Sequence, residues 1–153
     1  MSKICRLTIG TIIILGFLFS LGCDNKDQTK VSSLKDTKWI LTQSIDLETQ
    51  TVSDFPPEIR NFYIIFKEGG SLTIEDLCNF SYGTFSATDS SLNITDVGPG
   101  TKLFCISETF MQWESTLING LKTAKDYSID DHKLSITCDN KSNLIFQFEG
   151  EVK

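Results

Sequence analysis

His132 is the chain's only histidine, and it follows two acids, Asp130 and Asp131. A histidine beside a carboxylate supplies the base of a hydrolase triad, which also needs an activated nucleophile. Here D-D-H-K lies between two alternating apolar runs and reads as a solvated hairpin turn. Acids also adjoin at Glu75-Asp76. Paired carboxylates could serve a glycosidase, but direct neighbours in sequence read as strand ends or turns. Beyond Cys5 in the amino-terminal segment, cysteines stand at Cys23, Cys78, Cys105 and Cys138, and no C-x-x-C or H-x-x-x-H spacing offers zinc a closed site. No phosphate-binding glycine loop and no G-x-S-x-G is present. The expected enzyme, cofactor and metal are therefore none.

The amino terminus carries a clearer signal. Lys3 and Arg6 precede an apolar run from Leu7 to Phe19, and Ser20-Leu21-Gly22-Cys23 follows directly. A basic start, a short apolar core and small residues before a break describe a secretory signal. The run falls short of the roughly 20 residues a membrane span takes. Small residues ending in cysteine resemble the bacterial lipobox, in which that cysteine is lipidated and becomes the first mature residue. The pattern's usual leucine, three places before the cysteine, is Ser20 here, a looseness common in lipoproteins of the Bacteroidota. The expectation is a signal peptide over 1–22, a lipid on Cys23 and a flexible polar tether over 23–33. Losing residues 1–22 removes two bases and no acid, so the net charge of −6 becomes −8. That balance excludes nucleic acid, which calls for clustered Lys and Arg. It also leaves the acyl chains, not surface charge, to hold the protein at a membrane. The expected address is the outer membrane, on its periplasmic or its surface face.

Residues 34–153 are enough for one domain. Lys38 to Asp46 reads as a first strand with Trp39 as core anchor. Leu47 to Arg60 reads as a long surface loop, its Pro56-Pro57 excluding a central strand. Asn61 to Lys67 and Ser71 to Leu77 flank Glu68-Gly69-Gly70 as a hairpin. Phe80 to Ala87 pairs with Ser91 to Thr95, and Gly98-Pro99-Gly100 ends the strands. From Glu108 to Leu121 the apolar residues Phe110, Trp113, Leu117, Ile118 and Leu121 keep helical rhythm. Ser107 is the expected N-cap, Ile106 a staple onto Met111, and Asn119-Gly120 a fraying end. Ala124 to Asp130, Lys133 to Cys138 and Asn143 to Glu149 close the chain as alternating strands. The expected fold is α+β: an antiparallel sheet or partly closed barrel of about eight short strands packed on one helix. The set Phe62, Tyr63, Phe66, Phe80, Tyr82 and Phe85 reads as core before it reads as a ligand box.

Three segments carry a family likeness: Asp36-Thr37-Lys38-Trp39, then Cys78-Asn79-Phe80-Ser81-Tyr82-Gly83, then Thr101-Lys102-Leu103-Phe104-Cys105. With the helix and closing strands, they resemble the META domain family, which includes HslJ-like heat-shock lipoproteins. The likeness runs over about residues 34–149. Leu77 stands where the family has Gly, Leu103 where it has Met, and Ser81-Tyr82 reverses the usual aromatic-then-small order. The resemblance implies a lipocalin-like sheet, a link to envelope stress and no agreed chemistry. Residue reasoning leaves three pairings open among Cys78, Cys105 and Cys138; the resemblance favours Cys78 with Cys105. Asn79, Asn93 and Asn140 head N-x-S/T triplets, which a bacterial lipoprotein leaves bare. The expected function is a non-enzymatic, membrane-anchored envelope lipoprotein that binds an unidentified envelope protein. The alternative is a small-ligand carrier in a calycin-like barrel.

Overall fold

The computed structural model describes residues 31–56, 62–75, 79–101 and 107–152. Within that range the alternating runs become β1 (Thr37–Asp46), β2 (Thr51–Asp54), β3 (Tyr63–Phe66), β4 (Ser71–Glu75), β5 (Phe80–Ala87) and β6 (Leu92–Pro99). Helix α1 (Glu108–Lys122) follows, then β7 (Ala124–Asp130), β8 (Lys133–Cys138) and β9 (Ser142–Glu151). All the pairings are antiparallel, in the order β6-β5-β4-β3-β1-β9-β8-β7, with β2 beside β1. The fold is α+β, a curled and partly closed barrel packed on one helix.

Alternation along the strands sorts the side chains into two faces. Trp39 lies opposite Ile64 on β3 and Phe148 on β9, and Leu41 opposite Phe146. Trp39, Leu41, Phe62, Ile64, Phe66, Leu134, Ile136 and Phe146 are all at most 1 % exposed, so side chains fill the barrel. Trp39 meets Phe148 edge-on at 5.3 Å, and its indole N–H donates to the Thr37 hydroxyl at 2.7 Å. Thr37 in turn donates to the Leu34 carbonyl, so the one buried indole donor is satisfied. Val31, assigned by sequence to the tether, already packs on this core.

Ser107 caps α1 through its hydroxyl, which accepts from the Phe110 amide at 3.4 Å, and Glu108 occupies the positive end of the helix. Phe110 packs on Phe62 at 4.8 Å, while Phe55 packs on both Phe62 and Trp113 at about 5 Å. This aromatic knot pins the helix to the chain leaving β2. The expected fray at Asn119-Gly120 does not occur. The helix continues to Lys122, and Gly120 is buried where a Cβ would stand 2.7 Å from the Leu144 side chain. That glycine is there for close approach of helix to sheet.

Two further expectations change. The loop proposed over 47–60 contains β2, which pairs with Gln43 to Asp46 of β1. The prolines were a sound bar to a central strand, and β2 lies at an edge. The stop at Gly98-Pro99-Gly100 falls later, because β6 pairs through Pro99 opposite Ser81. Terminal strands tolerate proline, since its missing N–H can face away from the sheet. The two ends of the sheet meet where the β5–β6 turn reaches β7. There the Tyr127 amide donates to the Ser90 carbonyl at 2.7 Å and its hydroxyl to the Thr88 carbonyl at 2.9 Å, beside a bridge between Ser91 and Asp126.

Candidate functional site

The hairpin between β7 and β8 holds His132 in a fixed place. Asp131, at φ 55°, makes the turn and sets its carboxylate 2.9 Å from the imidazole Nδ1. The ring packs on Phe148 at 5.6 Å, and the His132 carbonyl accepts from the Phe148 amide at 2.8 Å. The histidine is thus folded back onto the sheet, less solvated than a free turn residue. Among the described residues its partners are a carboxylate, a phenyl ring and an amide, with no hydroxyl or thiol. Glu75 joins Lys38 at 3.2 Å, and that ammonium lies 3.9 Å above the Tyr63 ring. Glu75 is thus engaged by a base, in a partly buried pair. Asp76 lies outside the described residues.

Cys23, Cys78 and Cys105 lie outside the described residues as well, so neither the lipid nor the Cys78–Cys105 bridge has a structural description. Cys138 is a free thiol, buried beneath α1. Burial pushes it above its ordinary value, as does Asp139, while hydrogen bonds from Ser142 and Thr123 oppose the rise. Asn79 is also buried, and its side chain accepts from the Thr101 hydroxyl at 3.1 Å. Thr101 itself accepts from the Phe80 amide at 3.0 Å. Two motif residues far apart in sequence are thereby clasped, a structural role that sequence reasoning did not assign. Asn93 and Asn140 are exposed, and Asn140 caps its own turn through Ser142.

The aromatic set divides. Phe62 and Phe66 are core, and Phe85 packs edge-on against Phe66 at 4.9 Å. Phe80 and Tyr82, however, are 44 % and 56 % exposed on the outer face of β5. Among the described residues no three metal-ligating side chains gather, and no helix is long and apolar enough to cross a membrane.

A broad concavity of about 570 Å³ lies outside the barrel, over β1, β9 and β8. Irregular pairing makes it. β1 leaves β3 after Ile40 and takes β2 from Gln43 onward, and its pairing with β9 is bulged at Lys38/Trp39 and at Leu41/Gln43. Bulges increase local twist and bend the strand, which dishes a surface that would otherwise be convex. Ile40 and Ile145 lie on its floor with Gln147, while Asp54 and Lys133 stand on opposite sides. The Gln43 amide donates to Asp54 at 2.8 Å, and the Thr42 hydroxyl to the Ile145 carbonyl at 3.0 Å. No motif marks this cleft, because bulges and changes of strand partner leave no pattern in one sequence.

Comparison with known proteins agrees with the architecture. A protein from Burkholderia xenovorans, solved by NMR, shares 19 % identity over 77 % of this chain and 85 % of its own, with a TM-score of 0.64. A DUF4847 family protein from Bacteroides vulgatus shares 16 % over 73 % of this chain and 92 % of its own, with a TM-score of 0.54. At such identities the likeness is one of fold. No curated protein matches the chain. The META domain model, by contrast, matches residues 32–151, nearly the whole described range. The chain belongs to the META domain family.

Proposed function

We propose that the protein is a non-enzymatic envelope lipoprotein, anchored through a lipid on Cys23, whose META domain is an interaction module linked to envelope stress. The amino terminus carries this reading: a basic start, a short apolar run and Ser20-Leu21-Gly22-Cys23. Only Asp24 to Lys30 separate that cysteine from Val31, the first side chain of the core. Fully extended at ~3.3–3.6 Å per residue, they would hold the domain within about 25–30 Å of the lipid.

Two features of the domain support a binding role over chemistry or cargo. His132 is engaged by Asp131 and Phe148 rather than by a nucleophile. The barrel interior is filled from Trp39 to Phe146, which weighs against a carrier of the calycin kind. The test is a deletion strain challenged with envelope stress. Tolerance should fall and return with the wild-type chain but not with Cys23→Ala. Unchanged tolerance, with no envelope protein co-purifying, contradicts the proposal.

A further inference from the structure

The cleft over β1, β9 and β8 carries opposite charges on opposite sides. Lys133 stands on β8, Asp54 on β2, and β9 and β1 lie between them. Three strand spacings of ~4.8 Å and a two-residue offset of about 7 Å along β9, from Ile145 to Gln147, put the two positions about 16 Å apart. Neither is neutralised by an ion pair: Lys133 and Asp54 appear in none among the described residues. Between them lie Gln147, directly opposite both Ile40 and Lys133, and Gln43, whose amide already orients the Asp54 carboxylate at 2.8 Å. Ile40, partly exposed beside the buried Ile145, gives the floor its apolar contact.

A ligand that fits must bring a cation to Asp54, an anion to Lys133, amide groups to the glutamines and an apolar group to the isoleucines. A short extended peptide with free termini meets all four demands. Three residues at ~3.4 Å each, with a hydrogen bond of about 2.8 Å at either end, span roughly 16 Å. We infer that this cleft binds short unblocked peptides, with the amino terminus at Asp54 and the carboxylate at Lys133. Glu149 also lines the cleft, giving two acids against one base, so peptides with an added positive charge bind more tightly.

The inference goes beyond the anchored-module reading and does not depend on the anchor, because every residue lining the cleft lies between Ile40 and Glu149. The test titrates the full-length protein in detergent with alanyl-leucyl-alanine, followed by calorimetry. N-acetylation and C-amidation should each weaken binding by about fivefold, the ceiling for an exposed ion pair. Lys133→Gln should abolish the penalty for amidation alone, and Asp54→Asn that for acetylation alone, with circular dichroism showing both variants folded. Absence of saturable binding, equal affinity for the blocked peptides, or unchanged discrimination by Lys133→Gln would each overturn it.

Discussion

The inner and outer faces of β1 and β9 differ by a single step along the strand and do different work. Trp39, Leu41 and Phe146 point inward and are at most 1 % exposed. Ile40, Gln43 and Gln147 line an open cleft. Side chains alternate along β9, and the bulge between Leu41 and Gln43 keeps β1 in step with it, so a slip of one residue would exchange the two sets. The packed interior and the open cleft are therefore written in one register.

Substitution can break this contrast, most severely from inside. Trp39→Ala should cost about 3–5 kcal/mol in chemical denaturation, the usual range for emptying a large aromatic site. It also strands Phe148 without its edge-on partner. A loss below ~1 kcal/mol would mean that the interior is not the source of stability. Gly120→Ala probes the helix side of the same core. Its Cβ would stand 2.7 Å from the Leu144 side chain, and overpacking of that kind costs about 1–3 kcal/mol. A stabilised variant would show that α1 has room to move away.

Cys138 sharpens the comparison through pH. The buried thiol is raised above its ordinary 9.0, so the folded state disfavours the thiolate. The resulting contribution is fully present below that value and is lost as pH climbs through the folded-state value. Wild-type stability should therefore fall more steeply in alkali than that of Cys138→Ala, and a thiol reagent should react slowly until the protein unfolds. Parallel pH profiles for the two proteins would contradict the burial. The smallest effect is expected outside: Gln147→Ala should change stability by no more than about 0.5 kcal/mol. A larger loss would make the cleft floor part of the core.

The inner face was the legible part. Alternation placed Trp39, Leu72, Ile74, Leu134, Ile136 and Phe146, and the Ser107 cap with its apolar rhythm placed α1, because each signal is local. What stayed hidden was tertiary. Gly120 looked like a helix end because its reason for being small, Leu144, lies across the barrel. The β2 strand leaves no pattern in the sequence, because it consists of four exposed residues whose pairing partners are on β1. The tie from Asn79 to Thr101 is hidden because the two stand 22 residues apart in sequence. The cleft was invisible for the same reason, since it comes from bulges and a change of strand neighbour rather than from any residue type.

The anchored lipoprotein is tested most directly by intact mass. The protein should be extracted from its native membrane and weighed after denaturation. A chain beginning at Cys23 with a di- or triacyl increment is the result predicted. An unmodified chain, or one that retains residues 1–22, would contradict the account.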